Sequence, residues 1–269
     1  IITELASKEN LGHIYVNKKK VRQSIGWNES KKYINVYGIA SAMQFLHKND
    51  IIHCNLNSNN VLLDSSLYPK ITGFEFSRQI AKKNSTQTVN RFYKPEGDEQ
   101  FLAPEVLLKE EYTKSSDVYS FSLIVYEIFT NKKQLLKFAS TLEFIDKISI
   151  QRERPDLKNS IPDFYKSLIE QCWSYDPKER PTFDEIVEIL KENQELKDDE
   201  EYQNYIKYID ESQKTFDLTK QFHQFDEIIN DKKFFSLQKL DSNSLENESR
   251  SFDLKKFISD LTKFGPDQL

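Results

Sequence analysis

Residues 117–130 read DVYSFSLIVYEIFT, with apolar side chains on nearly every face of a helical projection and only Asp117 and Glu127 carrying charge at neutral pH. A helix that is hydrophobic all round has no side to offer water, so it must run through the middle of a core. The fold must therefore surround this segment with other elements. The chain is large enough: 269 residues, 38% hydrophobic and 13% aromatic, suffice for one large domain or a domain with an appendage.

Composition also excludes functions. A net charge of −5 gives no cationic footprint for nucleic acid or an acidic membrane surface. No apolar run approaches the roughly 20 residues of a membrane span, and no secretory signal is evident. Cys54 and Cys172 fit neither a disulfide framework nor a metal site and read as reduced thiols of a cytoplasmic protein. The Asn-x-Ser/Thr triplets at Asn28, Asn84 and Asn247 then read as chance.

Around the central helix, hydrophobic spacing predicts further elements. Val36, Ile39, Met43 and Leu46 recur at three- and four-residue intervals, giving an amphipathic helix over 29–48 with Asn28 as N-cap. Ile1 to Leu5, Ile51-Ile52, Val61-Leu62-Leu63 and Lys70-Ile71-Thr72 read as short strands. Residues 78–100 lack periodicity and read as a long loop, a length that is usually functional or disordered. Helices are expected around 162–172 and 182–195, the second opened by a Thr182–Glu185 capping box. From about Glu192 the chain turns highly charged, and TFDLTKQF (215–222) and SFDLKKFI (251–258) look like related capped helix starts in a loosely packed tail.

Five segments carry chemistry: HCNLNSNNVLLD (53–64), PKITGFEFSR (69–78), FLAPEVL (101–107), the central helix, and CWSYDPKERPTFDEI (172–186). In this order and spacing they resemble the protein kinases, most closely the tyrosine-kinase-like group, over residues 1 to about 192. The resemblance implies an α+β, mainly α-helical fold, the kinase C-terminal lobe, with small β-hairpins at the catalytic loop and a helical C-terminal tail. It divides the chain into a kinase-like domain (1–192, hinge and larger lobe) and a charged, helical or partly disordered tail (193–269). Thr3 falls at the gatekeeper position, Glu4 and Ala6 on the hinge, and Leu62 beneath the adenine, as remnants of a nucleotide pocket. The chain opens on Ile-Ile-Thr-Glu, so the smaller lobe, with its Gly-rich loop, lysine and glutamate, is expected to be absent.

Against this family pattern the catalytic positions are replaced. Asn55 stands for the aspartate that accepts the substrate hydroxyl's proton, and a carboxamide has no basicity near neutral pH. Cys54 stands for the arginine that pairs with a phosphorylated activation loop, so the Ser85, Thr86 and Thr88 cluster lacks its receiver. Asn57 replaces the lysine that steadies the transferring phosphoryl group. Gly73-Phe74-Glu75 replaces Asp-Phe-Gly, and Gly73 has no carboxylate to hold Mg²⁺, while Asn60 keeps the second metal position. Glu75 lies two residues on, but a side chain would strain the glycine-demanding turn there, and it reads as a solvated or locally paired carboxylate.

The architectural positions are kept. His53 and Phe74 match one internal spine, anchored by Asp117; Leu62, Ile124 and Ile128 match the other; Glu105 and Arg180 match the family's ion pair. The expected function is that of a pseudokinase, a binding or scaffold module in signalling with protein partners through the lobe or the tail, no bound metal and no required cofactor. The alternative is an active Ser/Thr protein kinase using ATP and magnesium, its smaller lobe lying upstream. A third reading is a non-functional gene fragment.

Overall fold

The computed structural model describes residues 10–16, 25–80, 99–109, 112–132, 138–157 and 160–215. Expectations for the Ile1–Leu5 strand and the hinge (Thr3, Glu4, Ala6), for Ser85, Thr86 and Thr88, and for the tail beyond Thr215 lie outside these residues. Residues Leu5–Ile206 cluster as one compact unit; from Lys207 the chain is grouped with a second unit.

A short helix α1 (Leu11–Val16) leads to α2 (Glu29–Lys48), where Asn28 caps the start by accepting a bond from the Lys31 amide at 2.8 Å. Four two- to three-residue strands follow: β1 (Ile51–Ile52), β2 (Val61–Leu63), β3 (Pro69–Ile71) and β4 (Arg78–Gln79). They form two antiparallel pairs, β2 with β3 (Val61 opposite Ile71) and β1 with β4 (Ile52 opposite Arg78). Helices α3 (Pro104–Lys109), α4 (Lys114–Thr130), α5 (Thr141–Ile145, continued by a π-helical turn to Ile150), α6 (Asp163–Cys172), α7 (Phe183–Lys191) and α8 (Glu200–Thr215) complete the described chain.

The all-round apolar segment lies inside α4, where every residue from Ser116 to Phe129 is buried. It begins three residues earlier than its apolar run because Thr113 and Ser116 form a capping box ahead of it. Helix α2 departs from simple amphipathicity: residues 34–41 are all buried, since α4, α7 and β3 all pack on it. The expected helix over 182–195 ends at Lys191. The Asn193 side chain accepts a bond from the Glu195 amide at 3.1 Å and opens a separate 3₁₀ turn, Gln194–Leu196. Residues 141–150, for which the sequence suggested no element, form α5 and its π-helical turn. The packing does not change at Glu192, where the composition does. Leu196, Tyr202, Tyr205 and Ile206 are buried, so the expectation of a loosely packed tail fails as far as Ile206.

Glu105 on α3 and Arg180 after α6 form a fork-to-fork pair, Nη1–Oε1 at 2.7 Å and Nη2–Oε2 at 2.8 Å. The Arg180 side chain is fully enclosed and donates also to the Ser174 and Ser115 carbonyls, while Ser116 Oγ donates to Glu105 Oε1 at 3.0 Å. Such a pair ties three elements together and is costly to break from one side. Arg180→Met is expected to lower unfolding free energy by about 3–5 kcal/mol in urea denaturation. Adding Glu105→Leu should cost less than the sum of the two single changes, since it removes the stranded charge.

Candidate functional site

The site is built from α4 upward. Asp117 accepts bonds from the His53 amide (2.8 Å) and the Cys54 amide (3.0 Å), and its Oδ2 lies 2.9 Å from His47 Nε2. These bonds hold the chain after β1 in a turn where Cys54 has φ +64°, a left-handed conformation that side chains resist. Nothing in the spacing of the sequence marked His47 as the third partner of this carboxylate.

His53 is held as firmly. Its Nδ1 accepts from the Asn55 amide at 3.2 Å, so the proton sits on Nε2, which donates to the Thr72 carbonyl at 2.9 Å. That assigns a neutral ring. Its centroid lies 4.9 Å from that of Phe74. Burial lowers the His53 pKa, against the opposing pull of Asp117 and the Thr72 carbonyl.

The catalytic-loop positions come together as a carboxamide network. Asn57 Nδ2 donates to the Asn55 carbonyl (3.0 Å) and Oδ1 (3.1 Å), and Asn57 Oδ1 accepts from the Asn59 amide (3.0 Å). Asn60 Nδ2 donates to the same Asn55 carbonyl at 2.8 Å. Asn57 is buried and both its amide hydrogens are in use, so it braces the loop from within. The thiol of Cys54 is also buried, and burial raises its pKa far beyond the ordinary range.

Gly73 brings the chain back past this network. It is buried with φ +81° and ψ +38°, and it opens the 3₁₀ turn Phe74–Phe76. A Cβ added there would stand 2.5 Å from Asn60 Nδ2 and 2.6 Å from Asn60 Oδ1. The Asn60 carboxamide thus occupies the volume into which a side chain at position 73 would grow. Glu75 is exposed. Leu62, half-buried, bridges to Asn10, while Ile124 and Ile128 are fully buried on α4. Arg78, a residue the sequence did not single out, lies on β4, its charge acting on the Cys54 thiol and its guanidinium 5.0 Å above the Tyr112 ring.

A buried aspartate on a central helix, a loop with asparagine at its end and a bidentate arginine–glutamate pair can be set beside known proteins. The sequence model described as "Protein tyrosine and serine/threonine kinase" matches residues 1–190. The chain belongs to that family. The kinase match takes in every element through α6 and all but the last residue of α7. Among similar kinases of Dictyostelium discoideum, the dual specificity protein kinase shkC is 30% identical over 192 residues, 71% of this chain and 36% of that protein. The probable serine/threonine-protein kinase kinY is 38% identical over 160 residues, 57% of this chain and 27% of that protein. A further probable serine/threonine-protein kinase, DDB_G0282895, is 30% identical over 190 residues, of which this chain spans 11%. The chain thus covers only a minor part of each relative's length.

The family implies ATP with Mg²⁺, and the donor set here does not fit that metal. Mg²⁺ favours carboxylate and phosphate oxygens in strict octahedral geometry. Position 73 supplies none, Asn60 offers only the oxygen of a neutral amide whose nitrogen donates to Asn55, and among the described residues no three His, Cys, Asp or Glu side chains cluster closely enough to hold an ion.

Two outcomes follow from this geometry. Gly73→Asp must displace Asn60 and adopt a strained backbone, so it should lower stability by about 1–3 kcal/mol in urea melts. Adding Mg²⁺ should not restore the loss. His53 is neutral when folded, whereas the unfolded chain takes up a proton below about pH 6.5. Stability should therefore hold above that pH and fall below it, and His53→Gln should flatten that part of the acid slope.

Proposed function

We propose that this kinase-family chain, of the tyrosine-kinase-like group, has given up phosphoryl transfer and works as a pseudokinase, a binding or scaffold module in cytoplasmic signalling. The observation that carries the reading is Gly73 with the Asn60 carboxamide in the space beside it. A kinase active site needs a carboxylate there for its metal, and the position lacks the group, with the Asn60 carboxamide in the space it would take. Two further substitutions point the same way. Asn55 offers no basicity to a substrate hydroxyl, and general-base help is worth about 10²–10⁴ in rate where it is used. Asn57 has no charge to meet a phosphoryl group and is committed to Asn55. Protein partners, met through the lobe or the C-terminal tail, replace the phosphoryl acceptor as the object of recognition. The net charge of −5 favours neither nucleic acid nor an acidic membrane.

The relatives, serine/threonine and dual specificity kinases by name, favour a second reading, an active Ser/Thr protein kinase using ATP and magnesium. Thermal shift of the full-length protein with ATP, with and without Mg²⁺, alongside a phosphate-transfer assay on a generic protein substrate, separates the two. The pseudokinase reading expects no magnesium-dependent stabilisation and no transfer. Magnesium-dependent stabilisation together with transfer overturns it.

A further inference from the structure

Beyond the kinase match, residues 193–206 are bound into the lobe by contacts of several kinds. Asp199 joins two elements through one carboxylate: Oδ1 accepts from the Tyr202 amide (3.0 Å) at the start of α8, and Oδ2 accepts from Ser30 Oγ (2.7 Å) in the first turn of α2. Glu201 pairs with Lys31 at 2.5 Å, and the Lys31 ammonium lies 4.5 Å over the Tyr68 ring. Tyr202 is fully buried, its hydroxyl donating to the Leu190 carbonyl in the last turn of α7 at 3.1 Å. The Tyr205 ring lies 4.6 Å from that of Tyr68 and 6.3 Å edge-on from that of Tyr37.

The seat for Tyr205 is prepared on α2. A Cβ on Gly38 would collide with the Tyr205 hydroxyl and stand 2.6 Å from Pro69 Cγ. A glycine inside a helix costs about 0.5–1 kcal/mol relative to alanine, so its presence here is explained by that close approach. Tyr68 and Pro69 are the return side of the β2–β3 hairpin, where the Asp64 amide donates to the Tyr68 carbonyl at 3.1 Å and Pro69 faces Leu63. The hairpin is also held by α2 directly, since Asn35 Nδ2 donates to the Leu67 carbonyl at 2.9 Å. A hairpin this short is marginal by itself and takes its rigidity from what packs on it.

We propose that residues 193–206 are a strap that clamps the β2–β3 hairpin onto α2 and so sets the rigidity of the platform carrying Leu62 and flanked by Asn60 and Gly73. The strap is a conformational control, independent of whether the site transfers phosphate.

Hydrogen exchange on the full chain tests this. Tyr205→Ala removes the strap's contact with the hairpin, and Asp199→Ala removes its tie to Ser30 on α2 while leaving the hairpin's own neighbours in place. Each should speed exchange of the hairpin amides at Asp64 and Thr72, which donate across the β2–β3 pair, by at least about tenfold, with α6 unchanged as internal reference and exposed Leu142→Ala as a neutral control. Should either variant fail to fold, Glu201→Lys, which sets two ammonium groups against each other at the edge of the contact, is expected to give the same selective loosening. Faster exchange confined to residues 200–206, with the hairpin unmoved, overturns the proposal. So does an equal rise in the hairpin and α6, because the segment would then be ordinary core.

Discussion

The buried carboxylate of Asp117 is the interaction on which the rest of the lobe depends. Taking a charge out of water costs several kcal/mol unless its hydrogen-bonding capacity is filled. Here two backbone amides and the His47 ring surround it. It sits in the first turn of α4, where the helix dipole favours a negative group. From that point the consequences run outward. The two amide bonds fix the left-handed turn at Cys54, the turn aims His53 at Thr72 and Phe74, and His53 holds the Asn55 amide at the head of the loop.

The loop beyond that anchor is ordered by carboxamides where the family pattern has charges. An aspartate and a lysine at positions 55 and 57 would attract each other as ions. Two asparagines meet there through a neutral bond of 3.1 Å, so local charge balance is preserved with neutral groups. The exchange at position 73 is different in kind. It removes a side chain outright, and Asn60 stands where that side chain would begin. The loop closes on its own carboxamide groups.

Much of this was legible in the sequence, and the reasons for the rest are physical. The central helix and the Asn28 and Thr182 caps follow from local rules, because a cap and its helix lie within a few residues of each other. Glu105 and Arg180 were legible only through the family's pattern, since no local rule joins residues 75 apart in sequence. His47 looked like the end of an amphipathic helix, and its partner lies 70 residues on. The 193–206 segment misled because composition counts every side chain equally. Its acids cap α8, bond to Ser30 or pair with Lys31, while Tyr202 and Tyr205, outnumbered by them, go inward. The tilt of Asn60 toward Gly73 was out of reach, being a consequence of a missing Cβ.

The anchors and the chemistry differ in how a substitution is felt. Asp117, Arg180 and Glu105 are each bound by several partners in or near the core, so replacing one strands the others, and the fold resists the change. The carboxamides of the loop make bonds that a short neutral side chain satisfies, and at position 73 a glycine suits the left-handed turn better than any side chain would. A kinase lobe can therefore exchange its reactive groups for neutral ones with little penalty in stability, so long as the Asp117 and Arg180 networks stay intact. On that view the pattern of retained anchors and altered loop residues needs no selection for a particular new chemistry. It needs only a continued use for the shape, and the buried tyrosines of the 193–206 segment extend that shape past the family's own boundary.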